Sequence, residues 1–303
     1  MNLFNPNRRA MSLLLLSIAT APFAGPALAQ DRAVIATVNY PLAYFAERLV
    51  GDTADVLFPV PAGVDPSFWR PGIVEISAMQ AADVIAFNGA GFATWTTKVS
   101  LSRSRIVDTS AGFSDHYIST ETITHSHGED GAHSHTGTAN YFWLDFSLAA
   151  RQAETLAAGL IRRMPDAEAS ITLNLEALTN DLAALDASAK DLNALVAGAA
   201  AISSHPRYQY FGRAYGLDIT PMEWDANEAV TEEQWKNLEA VVAETGAKLF
   251  IWEATPAPEA RARIKDMGLV DIVFPPLSNR PASGDFLNGM ITSVEQVKKI
   301  ILE

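Results

Sequence analysis

The stretch AVIATVNYPLAYFAERLVGDTADVLF, residues 33–58, decides the fold. Its first run, Ala33–Val38, is short and rich in β-branched residues and reads as a strand. Leu42–Val50 follows with helical spacing, and Ala54–Phe58 returns to a strand pattern. A strand, a helix and a second strand in so short a span make a βαβ unit, which argues for a mostly parallel sheet.

The alternation continues outward. Asp83–Phe87 and Arg105–Val107 read as strands, and Ile73–Ala82 reads as a short helix. Between Phe146 and Val196 the pattern turns wholly helical. Leu175, Leu178, Leu182, Leu185, Leu192 and Leu195 recur every three or four residues, which is one face of a helix. Pro165-Asp166 marks where this long helix begins, after a shorter one ending near Met164. The stripe is read as a core-packing face rather than a zipper. Beyond it, Ala199–Ser203, Ala247–Trp252 and Val270–Phe274 read as strands. Tyr208–Tyr215, Thr231–Glu244 and Ala257–Met267 read as helices, and Ser293–Leu302 closes the chain, with Ser293 and Gln296 as a capping box.

The expected class is therefore α/β. Two lobes with mostly parallel sheets are joined by a long helix. The expected division is a signal segment over 1–29, a first lobe over 30–145, linking helices over 146–196 and a second lobe over 197–303.

Composition narrows the function. The 303 residues carry a formal net charge of −13, six histidines and no cysteine. Without cysteine there is no thiolate zinc site, iron–sulfur cluster or cysteine nucleophile. Excess acid without a basic run excludes the electrostatic footprint of a nucleic-acid binder. Arg8-Arg9, the apolar run Met11–Ala21 and Ala27-Leu28-Ala29 have the form of a cleavable export signal. With no cysteine after it, the expectation is a protein free in the periplasm and not a lipoprotein.

Four segments hold the candidate chemistry. HSHGEDGAHSHTGT, residues 125–138, places four of the six histidines, His125, His127, His133 and His135, around Glu129 and Asp130. Imidazole and carboxylate suit Zn²⁺ and its neighbours without thiols. With no large apolar residue and three glycines, this piece is expected to be a mobile loop that holds metal loosely. The loop with Asp65, Ser67, Trp69 and Arg70 precedes a helix, where α/β lobes present ligand contacts. Tyr141 sits in an aromatic run with Trp143. His205 and Arg207 follow a predicted strand, at the edge where parallel sheets bear ligands. No nucleophile elbow, P-loop or complete dinucleotide fingerprint is present, and no enzyme is expected.

The segments VNYPLAYFAERLVG (38–51), GVDPSFWRP (63–71), ADVIAFNGAGFATW (82–95), NYFWLDF (140–146), SSHPRYQYFGRAYGL (203–217), LFIWE (249–253) and SGDFLNGM (283–290) form an ordered set. Together with the His-rich piece, the set resembles the periplasmic solute-binding proteins of zinc and manganese ABC transporters, over essentially all of residues 31–303.

The resemblance implies a ligand cleft between the lobes and a monomer that takes a divalent metal, Zn²⁺ foremost, to a membrane permease. It also implies four metal ligands, one from each of four segments. Here Ser67 stands at the first position, Tyr141 at the second, His205 at the third and Pro275 at the fourth. Only His205 keeps the implied type. Asp65, Glu253, Asp271 and Asp285 are the acids close to these segments in sequence. The other reading is a diverged relative whose cleft takes a small organic or metal-complex ligand, or an accessory metallochaperone acting through the His-rich piece. Trp69, Tyr141, Arg207 and Trp252 would supply aromatic and cationic lining for such a ligand.

Overall fold

The computed structural model describes residues 32–126, 132–196, 198–225 and 228–302. The expected signal segment and His127 lie outside the described residues.

Strands β1 (Ala33–Thr37), β2 (Ala54–Leu57), β3 (Val84–Phe87) and β4 (Ile106–Asp108) form one parallel sheet in the order β2-β1-β3-β4. Helix α1 (Tyr40–Val50) connects the first two strands. It starts where the Asn39 side chain accepts the Leu42 N–H, and it stops at Gly51, whose φ of 50° disfavours other residues. Helix α2 (Ile73–Ala81) precedes β3.

Strands β5 (Ser119–Ser126) and β6 (Ala132–Thr138) pair antiparallel as a separate ribbon. This corrects the expectation of a loop over 125–138. The missing apolar face made it read as unstructured. Backbone pairing needs no such face, however, and the threonines at 120, 122, 124, 136 and 138 favour extended backbone. The register sets His125 opposite His133 and Ile123 opposite His135.

Helix α3 (Phe146–Arg163) and the 29-residue α4 (Glu168–Val196) follow. At 1.5 Å per residue α4 is about 43 Å long. Leu178, Leu182, Leu185 and Leu192 on it are buried, so this part of the leucine stripe is core, while Leu195 at its end is exposed. It belongs to a continuous apolar cluster that includes Ile35 and Phe45 of the first lobe and Ile251 and Phe286 of the second.

The second sheet holds β7 (Ala199–Ser203), β8 (Leu217–Pro221), β9 (Leu249–Trp252) and β10 (Val270–Val273), all parallel, in the order β10-β9-β7-β8. Helices α5 (Gln209–Tyr215), α6 (Glu232–Thr245) and α7 (Pro258–Asp266) connect them. Counted within each lobe, both sheets run second, first, third, fourth strand. Helix α8 is Phe286–Leu302 and starts seven residues before the expected Ser293. Asp285 caps it by accepting the Asn288 N–H at 2.8 Å. Gly289 is no break, because Leu277 packs where its Cβ would be, with Cδ1 2.6 Å from that point. Among the described residues no helix is long and apolar enough to cross a membrane.

Candidate functional site

In an open parallel sheet the ligand crevice lies at the carboxyl ends of strands, where the order reverses. In the first lobe that point falls between β1 and β3. It is filled by amides. Asn39 donates to the Asn88 side-chain oxygen at 3.0 Å, and Gln152 donates to the same oxygen at 3.2 Å and to Thr109 Oγ1 at 3.0 Å. Asn88 in turn donates to the Asn140 carbonyl at 2.8 Å. Every side chain in this cluster is buried.

In the second lobe the same point, between β7 and β9, stays open. Ser204 and His205 leave β7 there, and Glu253 leaves β9. His205 and Glu253 face a cleft of about 850 Å³, which Asp65, Phe68 and Tyr141 line from the first lobe. The far wall is the segment after β10, including Pro275, Pro276 and Ser278. That segment is fastened to the first lobe. Tyr40 N–H donates to Ser278 O at 2.8 Å, and Asn279 Nδ2 donates to the carbonyls of Pro61 and Val64 at 2.7 Å each.

Arg207 dominates the cleft electrostatically. Its Nη2 lies 2.6 Å from Asp65 Oδ2 and its Nε lies 3.4 Å from Glu253 Oε2. The guanidinium carbon sits 4.6 Å from the Tyr141 ring centroid, a cation–π contact. Burial alone would push Arg207 down. The surrounding groups, Asp65 and Glu253 among them, more than offset this, so it stays charged. Burial pushes the Glu253 carboxyl up, with Arg207 opposing. Burial also drives the Tyr141 phenol far above its ordinary value, so the ring is a neutral wall.

His205 is 8% exposed. Its Nδ1 lies 2.8 Å from the Trp224 carbonyl oxygen. A carbonyl only accepts, so Nδ1 carries the hydrogen and the lone pair of the neutral ring is on Nε2. A histidine fixed this way has the arrangement usual for a metal ligand. Ser203 Oγ donates to the His205 carbonyl at 2.9 Å and holds the turn.

Five expected site residues therefore converge on one cleft: Asp65, Tyr141, His205, Arg207 and Glu253. Pro275 lines it as well but carries no donor atom. Ser67 does not reach the cleft. It is buried, and its backbone N–H and hydroxyl both donate to Asp65 Oδ1, at 2.8 and 2.7 Å. Its role is to aim Asp65. Trp69 packs edge-on against Trp95, with centroids 6.0 Å apart. Asp285 is spent on capping α8. Asp271 is held by Trp252 Nε1 and Arg261 at 3.1 and 2.7 Å. Asp225, which also lines the cleft, went unnoticed because nothing in its spacing marks it. For His125, His133 and His135 only the backbone register is described.

A family model described as the zinc-uptake complex component A, periplasmic, matches residues 34–300. The chain belongs to this family, ZnuA. Zinc-binding lipoprotein AdcA of Streptococcus pneumoniae is 25% identical over 218 residues, 69% of this chain and 43% of AdcA. The chain thus spans less than half the length of that curated relative. Manganese ABC transporter substrate-binding lipoprotein PsaA of the same species is 26% identical over 218 residues, 69% of this chain and 67% of PsaA. Among solved structures, the Zn(II)-bound ZnuA-like domain of S. pneumoniae AdcA superimposes with a TM-score of 0.74. It has 18% identity and covers 90% of this chain and 100% of that domain. The two-lobed fold is thus shared with ZnuA-like proteins, and the family is one of transport components rather than enzymes.

One expectation is overturned. The lack of cysteine was read as placing the protein free in the periplasm. AdcA and PsaA are named lipoproteins, so a ZnuA-family chain is not to be set apart from lipoproteins on that ground.

The cleft fits a bare metal ion poorly as it stands. Among the described residues no three His, Asp or Glu side chains are grouped to hold one. Two of the carboxylates that line the cleft with His205, those of Asp65 and Glu253, are held by Arg207.

Proposed function

We propose that the protein captures a divalent metal ion, Zn²⁺ foremost, outside the cytoplasm and hands it to the membrane permease of an ABC transporter. One observation carries this reading. The four segments that would supply ligands meet on a single cleft at the strand ends of the second lobe. His205 supports it, since its ring is oriented as a ligand by the Trp224 carbonyl. Charge also favours a cation. Asp65 and Glu253 against one guanidinium leave the cluster net negative, which is a poor setting for an anion. The ribbon with His125 opposite His133 serves as a second, looser metal-gathering element.

The test is equilibrium dialysis of chelator-stripped full-length protein against Zn²⁺ and Mn²⁺. Wild type binds about one equivalent more than His205→Ala, beyond whatever the ribbon holds. Equal stoichiometry and affinity in the two proteins overturn the reading.

A further inference from the structure

We propose that a second cavity in the second lobe, walled by three tryptophans, binds a small organic cation, an ammonium group carried on an apolar body. The inference is separate from metal capture and involves no metal.

The cavity, of about 290 Å³, lies between the end of β9, helices α6 and α7 and the chain that follows β8. Its size suits a small molecule rather than a peptide. Three of the chain's six tryptophans, Trp224, Trp235 and Trp252, line it, and all three are buried. Trp224 packs against the other two, with ring centroids 5.0 and 5.7 Å apart. The indoles brace one another, so the wall is set before a ligand arrives and little ordering is needed on binding.

Charge selects the class of ligand. Four carboxylates line the same cavity: Asp225 and Glu228 after β8, Glu253 after β9 and Glu259 on α7. The single cation among the lining residues is Arg263, and Glu232 engages it through both carboxylate oxygens. An anion would meet net repulsion there, and a neutral molecule would leave the field unused. An ammonium group gains from the indole rings and from the acids together. The fold supplies its own precedent, since the Arg263 guanidinium carbon lies 4.7 Å from the Trp235 ring centroid. One of these indoles thus already carries a cation of the chain itself.

The cavity shares a wall with the cleft that holds His205. Asp225 and Glu253 line both spaces, whereas Phe68 and His205 line the cleft and Glu228, Glu259 and Ala260 line the cavity. Residues that belong to one space alone separate the two.

The probe is benzyltrimethylammonium, with benzyl alcohol and benzoate as neutral and anionic counterparts. Tryptophan fluorescence and calorimetry follow binding to the chelator-stripped full-length protein. The cation is expected to bind at one site, roughly tenfold or more tighter than benzyl alcohol, and benzoate is not expected to bind. Glu228→Gln combined with Glu259→Gln weakens the cation severalfold and leaves benzyl alcohol unchanged. Ala260→Phe fills the cavity and abolishes binding, while Phe68→Ala, in the cleft, leaves it intact. Circular dichroism checks that each variant is folded. Should Ala260→Phe fail to fold, the paired glutamine variant, altered only at exposed positions, carries the test. No binding of the cation, or equal affinity for the cation and benzyl alcohol, overturns the proposal. So does binding that survives Ala260→Phe, that ignores the loss of both glutamates, or that disappears with Phe68→Ala.

Discussion

Trp143 donates its indole N–H to the carbonyl oxygen of Pro276 at 2.7 Å, joining segments 133 residues apart. Both groups are shielded from water, and the bond helps hold the cleft wall after β10 against the first lobe. Trp143→Phe keeps an aromatic ring but removes the N–H donor and part of the buried indole, and orphans the carbonyl. The expected loss is about 1–3 kcal/mol of unfolding free energy, read by urea denaturation. Hydrogen exchange in residues 275–279 should rise with it.

Ser67 stands where the resemblance implies the first ligand, yet histidine there is expected not to rebuild a site. The side chain is 6% exposed and faces Asp65, not the cleft. Ser67→His is expected to destabilise by roughly 1–3 kcal/mol through overpacking, without strengthening Zn²⁺ binding. Tighter binding in a dialysis assay would show that the loop re-aims the ring.

Gly159 lies inside α3, where alanine would gain up to about 1 kcal/mol of helix propensity. A Cβ there would sit 2.5 Å from Val107 Cγ2 in β4. Overpacking of about 1–3 kcal/mol exceeds that gain. Gly159→Ala is therefore expected to lower the thermal midpoint, and a rise would mean β4 yields easily.

Asp83 links the first sheet to α3. It accepts from the Val34 N–H at 3.0 Å and from Arg163 at 3.1 Å. The Val34 hydrogen bond, with help from Arg163, holds its carboxyl below the ordinary value of 3.8. The native state then binds fewer protons than the unfolded chain just below that pH. Stability from Asp83 is present above pH 3.8 and is lost as pH falls through the lowered folded value. Asp83→Asn should flatten the acid limb of the stability curve in that range, measured by denaturation at stepped pH.

The ribbon can be removed without opening the fold, because Ser119 pairs with Thr138 at its base. Replacing residues 121–136 by a short glycine turn should lower total Zn²⁺ stoichiometry and leave the His205-dependent binding unchanged. Loss of both would tie the ribbon to the cleft.

Much of this was legible in the residues. The strand at Ala199–Ser203 and the helix ending at Val196 lie where their patterns place them. Several of the parallel strands, such as AVIAT and VDIV, are short runs rich in β-branched residues, and that signal survives without tertiary context. Strand β8, LDITP, was missed because it is brief and ends in proline. The start of α8 was missed because a glycine reads as a break when its packing partner, Leu277, is unknown. At the site, spacing identified the right segments but not which way each side chain turns. Within one loop Asp65 faces the cleft, Ser67 faces Asp65 and Trp69 turns to Trp95. Only the folded turn separates these three directions. The sharing of Asp65 and Glu253 by Arg207 was equally hidden, since Arg207 is 142 residues from the first and 46 from the second.

The matched strand orders give the molecule two crevices of one kind, and amide side chains have sealed the first. Of the two strand-end crevices, only the one in the second half is left open. The sealed half is left to serve as an anvil. It presents Asp65 and Tyr141 from a fixed position against which the second half can work.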